Sequence, residues 1–366
     1  MKIALVHDYL FEQGGAENVV EVFAGMFPDA PIYTSIYAPE TMSAAFRRRD
    51  VRTSYLQRLT TNKRTAKALL PLYPHAFRRL KLRGYDVVLT SSSSFAKGID
   101  VGDARHICYC YTPPRFLWQT DRYIEQQRAP MARTGMHIVA GMLRARDRRD
   151  ADNVDQFIAI SRIAQTRIAR MYQRDSTIIY PPIAVSDFHM ADMAAAVEPR
   201  FLVVSRLLSY KRIDIVIDAC NRLGLPLTVV GDGPDHARLQ ALAGPTVTMR
   251  GRLPRAEVRA YLTNSLALIM PGEEDFGLTP LEANASGRPV VAYRAGGALE
   301  TVLEGRTGWF FDAQSAESLM PVLARVAHAT APDPRTLRAH ARRFDVSVFQ
   351  DAIERILRAE SSAVAA

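Results

Sequence analysis

Short apolar or β-branched runs recur along the chain: "KIALVH", "YDVVLTSS", "HICYCY", "FIAIS", "FLVVS", "LTVVG", "LALIM" and "PVVAY". Between most of them lie stretches whose apolar residues return every three or four positions, such as "AENVVEVFAGMF" and "RIDIVIDACNRL". The first pattern predicts strands and the second amphipathic helices. Apolar strands that alternate with helices predict parallel sheets covered on both faces, an α/β fold. The rhythm breaks after "STIIYPPI", in "AVSDFHMADMAAAVEPR", and restarts at "FLVVSRL". Two Rossmann-like domains are therefore expected, 1–181 and 182–345, with a hinge near 181–199. A last helical stretch and tail, 346–366, is expected to cross back to the first domain, with "SSAVAA" fraying at its end.

A chain of 366 residues, 48% apolar and 23% charged, suits two soluble domains. Met1 to Val6 is too short for a signal-peptide core, and no apolar stretch approaches the roughly 18 residues of a membrane span. Cys108, Cys110 and Cys220 are too few for a disulfide framework, and Cys108-x-Cys110 lacks the second pair of a zinc site. A cytoplasmic setting is the expectation. The formal charge of +9 predicts attraction to an anion: nucleic acid, a phosphorylated small molecule or an acidic lipid surface.

Open parallel sheets bind ligands at the carboxyl ends of their strands, so candidate chemistry is sought there. The first strand runs into "HDYLFEQGGAENVV", where Gly14 and Gly15 precede a helix with Glu17 in its first turn. Paired glycines let backbone N–H groups approach an anion or hydroxyl, and they also serve a plain tight turn. "HICYCYTPPRFLW" places Tyr111, Thr112 and Arg115 at another strand end. In the second half "FLVVSRLLSYKR" offers Arg206 and Lys211 near a helix start, two cations suited to a diphosphate. Gly231, Asp232 and Gly233 repeat the strand-turn-helix pattern in "LTVVGDGPD".

The densest stretch is "PGEEDFGLTPLEANASG", residues 271–287, after the strand "LALIM". Gly277 and Pro280 exclude one continuous helix. Pro280 is expected as the first helical residue, with Thr279 as N-cap and Thr279-x-x-Glu282 as a capping box. Glu274 then lies in the loop. The amides of Phe276, Gly277, Leu278 and Thr279 lie at the helix start, where they can hold an anion.

Taken together, these motifs resemble the retaining glycosyltransferases of family 4, which have the GT-B architecture of two Rossmann-like domains facing each other across a cleft. The resemblance rests on "GGAE", "YTPPRFLW", "FIAIS…IIYPPI", Arg206 with Lys211, and Glu274-x7-Glu282. Within the family the chain looks most like bacterial mannosyltransferases of surface-polysaccharide assembly. The resemblance implies a nucleotide-sugar donor, GDP-mannose first and a UDP-sugar or GDP-rhamnose as the alternative. It places Arg206 and Lys211 on the diphosphate, with Gly231 and the amides of Phe276 to Thr279 beside the donor. Glu274 would hold the sugar hydroxyls and Glu282 the ribose. A saccharide acceptor, free or carried on a polyprenyl diphosphate, is expected near Gly14, Gly15, Glu17, Tyr111 and Arg115. No essential metal or other cofactor is implied. Asp150-Ala151-Asp152 follows "RARDRR" and is expected as a helix end. Related sequences commonly place a histidine where this chain has Tyr111, whose hydroxyl can still donate a hydrogen bond. Retention without a clear nucleophile implies same-face attack as the diphosphate leaves.

Residues 47–84 are rich in cations, interleaved with Tyr55, Leu56, Leu69, Leu70, Leu72, Tyr73 and Phe77. With a lipid-linked acceptor in view, this stretch is expected to touch an anionic membrane surface on the inner leaflet. A nucleic-acid binder would explain the charge but not the paired glutamates. A nicotinamide oxidoreductase would need GxGxxG after a first strand, and none is found.

Overall fold

A computed structural model of the chain describes residues 1–61, 63–118, 130–190 and 199–359. The chain divides into two units, Met1–Tyr180 and Pro181–Ala366. The first holds a seven-stranded parallel sheet: β1 (Ile3–His7), β2 (Ile32–Thr34), β3 (Val51–Thr53), β4 (Val87–Ser92), β5 (Arg105–Cys110), β6 (Gln156–Ala159) and β7 (Ser176–Ile178). Its order is β3-β2-β1-β4-β5-β6-β7. The second holds six parallel strands: β8 (Phe201–Val204), β9 (Leu227–Val230), β10 (Val247–Gly251), β11 (Ala267–Met270), β12 (Val290–Tyr293) and β13 (Gly308–Phe311), in the order β10-β9-β8-β11-β12-β13. In each sheet the direction of chain progress reverses once, between β1 and β4 and between β8 and β11. At such a switch point neighbouring loops leave in opposite directions and open a crevice.

Every apolar run named from the sequence is a strand. The strands outside those runs are short or of mixed polarity: β3, for example, is Val51-Arg52-Thr53, half-exposed at the sheet edge. Central strands β1 and β4 are buried along their whole length, which is why they carry no polar alternation. Among helices of eight residues or more, α1 (Gly15–Met26) buries Val19, Val20 and Phe23. α2 (Pro130–Asp152) ends at the Asp150-Ala151-Asp152 triplet, and α3 is Arg162–Tyr172. α4 (Ile213–Leu223) buries Ile213, Val216, Ile217 and Cys220, a three–four spacing that makes one apolar face. α5 (Arg255–Asn264), α6 (Leu278–Ala285), α7 (Ala316–His328), α8 (Pro334–Ala341) and α9 (Val346–Arg358) complete the second unit.

The segment that enters the second unit is tied down at once. Ile183 bridges to Asp345, and the Asp345 carboxylate accepts the Val185 amide at 3.2 Å and caps α9 through Ser347. α9 is grouped with the second unit. Arg338 on α8 donates to three carbonyls, Phe188 (2.7 Å), Ala285 (2.6 Å) and Val185 (3.0 Å). Residues 191–198 of the expected hinge and the "SSAVAA" tail lie outside the described residues.

The basic stretch at 47–84 is only partly a surface feature. Leu56, Tyr73 and Phe77 are core residues, and Tyr55, Leu69 and Leu70 pack against that core. Leu72 is exposed, as are the cations Arg47, Arg48, Arg58, Arg78, Arg79 and Lys81. Most of the apolar side chains expected to face a membrane are thus used in folding, while the charge remains outside. Asn62 lies outside the described residues. Among those residues no helix is long and apolar enough to cross a membrane.

One buried ion pair holds the first unit's layers together. Lys97, in the loop after β4, donates to the Ser94 carbonyl at 2.7 Å and to Asp147 of α2. The other Asp147 oxygen accepts Trp118 Nε1 and the Tyr172 hydroxyl, both at 2.8 Å. Burial works against the Lys97 ammonium, but the Asp147 carboxylate outweighs it and the pKa is raised. Removing one partner of such a pair strands the other in a low-dielectric interior. Lys97→Met is expected to lower unfolding free energy by about 3–5 kcal/mol in urea titrations, far more than a surface lysine substitution.

Candidate functional site

The carboxyl ends of β8, β9, β11 and β12 carry four loops that lie backbone against backbone. A Cβ at Gly231 would stand 1.8 Å from the Ser205 carbonyl oxygen, and one at Gly233 2.2 Å from that of Leu207. The same loops exchange main-chain bonds, Leu207 N–H to Asp232 O at 3.0 Å and Asp235 N–H to Leu207 O at 3.1 Å. On the other side of the switch point, between the loops after β11 and β12, a Cβ at Gly296 would lie 2.4 Å from Glu274 O, and one at Gly297 2.2 Å from the Phe276 Cα. The Gly297 amide donates to Glu274 O at 2.9 Å. Only glycine permits these approaches. Gly231 belongs to the expected donor set. Gly296 and Gly297 were not singled out from the sequence, although a glycine pair following the strand "PVVAY" repeats the Gly14-Gly15 signal.

Between the two pairs of loops a Cβ at Gly272 would stand 3.0 Å from the Lys211 Cα and carbonyl oxygen, and here Lys211, after β8, forms an ion pair with Glu274, after β11. Lys211 also stands 5.2 Å above the Tyr210 ring. The two residues expected on diphosphate and sugar therefore hold each other, 13% and 25% exposed. Arg206 lies in the same β8 loop, exposed, and its side chain makes no hydrogen bond or ion pair among the described residues. Phe276 is buried and packs on Phe344, their ring centroids 5.8 Å apart. It pins the loop just before α6.

The expected capping box is not formed. α6 begins at Leu278, two residues earlier than expected, with Gly277 as N-cap at φ 87° and no side-chain cap. Glycine alone adopts that backbone angle freely, so it makes the turn that Thr279 was expected to make. Thr279 and Pro280 fall inside the first turn. Pro280 is tolerated there because first-turn amides have no intrahelical partner to lose. The amides of Leu278 and Thr279 remain at the helix start, and Glu282 moves to the second turn. Burial raises the Glu282 pKa above its ordinary 4.5, partly offset by the charges of Arg255 and Arg259 on α5.

In the first unit the chemistry gathers where β1, β4 and β5 end, beside the start of α1. Gly14 is the N-cap of α1, Gly15 its first residue, and Glu17 in the first turn is buried. His7 at the end of β1 places Nε2 3.5 Å from Glu17 Oε1 and Nδ1 2.9 Å from the Ser91 carbonyl. Ser91 Oγ lies 2.9 Å from the Tyr111 hydroxyl, which donates to the Ala16 carbonyl at 2.9 Å. The Tyr111 proton is thus taken up by the Ala16 carbonyl. Asp8 binds the turn after β4 through the Ser93 and Ala96 amides, at 2.6 and 2.8 Å. Arg115 opens a short helix, Arg115–Trp118, beyond β5. His7 and Asp8 were quoted in the sequence but given no role; a polar pair ending an otherwise apolar strand was the available signal. No cluster of three or more His, Cys, Asp or Glu side chains able to hold a metal occurs among the described residues.

Residues 191–344 match the family described as glycosyl transferases group 1. A GDP-mannose-dependent alpha-mannosyltransferase of Mycolicibacterium smegmatis is 37% identical over 35% of this chain and 34% of its own length. A GDP-mannose-dependent alpha-(1-6)-phosphatidylinositol monomannoside mannosyltransferase of the same organism is 29% identical over 52% of this chain and 54% of its own. The chain spans about a third to about half the length of these curated relatives. Sucrose-phosphate synthase from Thermosynechococcus elongatus superposes with a TM-score of 0.77 at 18% identity, covering 99% of this chain and 100% of that one. HepE of Anabaena, solved with UDP-glucose, gives 0.71 at 18% identity over 98% and 100%. The fold is GT-B, two Rossmann-like parallel-sheet halves.

Glu282 is half-buried on α6 and does not make the cap expected to stabilise the fold. The folded pKa is raised, so the penalty for ionisation is absent below about pH 4.5 and grows as pH rises through the folded value. Glu282→Gln is therefore expected to leave the melting temperature unchanged or higher at pH 7, with no difference at pH 4. If Glu282 holds a ribose, as the resemblance implies, the same substitution should weaken nucleotide-sugar binding about tenfold or more in calorimetric titrations.

Proposed function

We propose that this chain, whose second half is a group 1 glycosyl transferase domain related to bacterial mannosyltransferases, is a retaining hexosyltransferase. It moves mannose from GDP-mannose to a lipid-linked or oligosaccharide acceptor in surface-polysaccharide assembly. The observation that carries the reading is the Lys211–Glu274 pair at the switch point of the second sheet, beside Arg206 and the start of α6. An incoming diphosphate competes with Glu274 for the Lys211 ammonium and takes the Arg206 guanidinium and the Leu278 and Thr279 amides as further donors. Glu274, released from Lys211, is left beside the same site to accept hydroxyls of the donor sugar. Ligand binding thus exchanges one ion pair for a diphosphate clamp and a sugar clamp together.

In the reaction the bond from the anomeric carbon to the phosphate oxygen breaks. The acceptor oxygen bonds to the same face, and its proton passes to the departing phosphate. Lys211, Arg206 and the helix-end amides stabilise charge as it grows on that phosphate. Those groups meet the diphosphate charge without a metal. The names of the mannosyltransferase relatives favour guanine and mannose in the donor.

Thermal melts with GDP-mannose, GDP-rhamnose and UDP-sugars test the donor. The correct one at 100 times its Kd adds about 2.7 kcal/mol, and no response to any would overturn the reading. Glu274→Ala should then cut transfer by about a hundredfold or more while GDP alone binds as well or better, since Lys211 is freed. A trapped glycosyl–enzyme adduct, or an inverted product, would exclude same-face attack.

A peripheral membrane contact through 47–84 rests on the exposed cations rather than on apolar insertion. Flotation with anionic vesicles but not neutral ones at low salt, lost at high salt, is the expected outcome. Equal flotation with both would remove it.

A further inference from the structure

The polar groups at the carboxyl ends of β1, β4 and β5 close into a ring with a fixed direction of donation. The Ser91 carbonyl can only accept, so His7 Nδ1 carries a proton and donates it at 2.9 Å. Tyr111 spends its one proton on Ala16, so Ser91 Oγ donates to Tyr111. His7 Nε2 is then left facing Glu17 Oε1 at 3.5 Å, with both side chains under a tenth exposed. A lone pair facing a carboxylate in such a place is repulsive. One proton must lie between the two.

We propose that His7 and Glu17 form a buried imidazolium–carboxylate pair, in which His7 is the positioning residue that holds the Glu17 carboxylate expected to meet the hydroxyls of an acceptor pyranoside. The assignment rests on the glycosyltransferase reading and extends it to the first half of the chain. Glu17 uses Oε1 toward His7, while Oε2 turns toward Gly14, where an added Cβ would stand only 2.9 Å away. A larger residue at 14 would crowd that oxygen. A carboxylate balanced by an imidazolium offers strong acceptance to a neutral sugar while the pair carries no net charge.

The groups facing His7 are few. Glu17 comes from α1, Asp8 from the residue after β1, Ser91 from β4, and Tyr111 from the residue after β5, through Ser91. The Tyr9 ring lies 6.3 Å away. Burial works against the imidazolium, but the Glu17 hydrogen bond and charge, the Asp8 charge and the Ser91 carbonyl together outweigh it, so the pKa is raised from 6.5. The paired form is present at low pH and is lost as pH rises through the raised value.

Histidine-labelled protein followed by NMR tests the pair without substrate, the His7 signal being assigned by its absence in His7→Asn. His7 should titrate above 6.5 and fall in Glu17→Gln; titration at or below 6.5, unmoved by Glu17→Gln, overturns the pair. With GDP-mannose as donor and methyl α-mannoside as acceptor probe, kcat/KM for the glycoside should fall on the alkaline side of the His7 pKa. His7→Gln, which keeps a donor toward Glu17 but cannot titrate, should lose that limb. His7→Asn, which keeps the Ser91 bond alone, should lower kcat/KM for the glycoside about tenfold at pH 6 with KM for GDP-mannose unchanged. A limb that persists in His7→Gln, or a change confined to the donor KM, overturns the positioning role. Wild-type protein that cleaves GDP-mannose but never glycosylates the probe overturns the sugar-hydroxyl assignment. Wild-type protein inert to every nucleotide sugar overturns the glycosyltransferase reading instead, and leaves the NMR titration to decide the pair.

Discussion

The second half depends on one constraint: its strand-end loops pack main chain against main chain at glycines. Glycines at 231, 233, 272, 296 and 297 make this possible, and each added methyl would enter the van der Waals shell of a neighbouring main chain. That stacking sets where Lys211 and Glu274 sit, and so which charge meets which. It also sets the start of α6, because the loop that Gly296 and Gly297 cover ends in Gly277 and the helix. The polar site follows from a packing condition among groups that carry no charge.

In the first half the equivalent place is organised by hydrogen-bond direction rather than by close packing. His7, Ser91, Tyr111 and Ala16 hand protons one way around the strand ends. Asp8 fastens the neighbouring turn, and Lys97 with Asp147 anchors that turn to α2. A tyrosine at 111 suits this ring because a hydroxyl can accept and donate at once on a single atom. The two halves share a topology, yet they use different physical means at the same topological position.

Much of this was legible in the chain. The buried strands announce themselves by unbroken apolar runs, and the helices by their spacing, because burial on two faces or one leaves no other pattern. The edge strands were less visible, since Val51-Arg52-Thr53 is short and half-exposed and carries no signal beyond its residues. Arg206, Lys211 and Glu274 were found as charges at strand ends, and the partnership of the last two was not, because residues 63 positions apart leave no local trace of contact. The start of α6 was misplaced for a different reason. Thr279-Pro280 and Glu282 make a plausible cap, and only the φ of Gly277 decides against it. For 47–84 the sequence left a membrane-facing stretch and a solvated face with its leucines in the core as alternatives, and the core claimed Leu56, Tyr73 and Phe77.

The three carbonyls gripped by Arg338 bear on how the chain can be divided. Two of them, Val185 and Phe188, belong to the connecting segment and one, Ala285, to the end of α6. A fragment begun at the first strand of the second sheet would leave a guanidinium with one acceptor out of three, and Asp345 without the Val185 amide and the Ile183 bridge. The connecting residues are thus structural members of the half they precede. Folding sets the edge of that half at Pro181, some twenty residues before its sheet begins at Phe201.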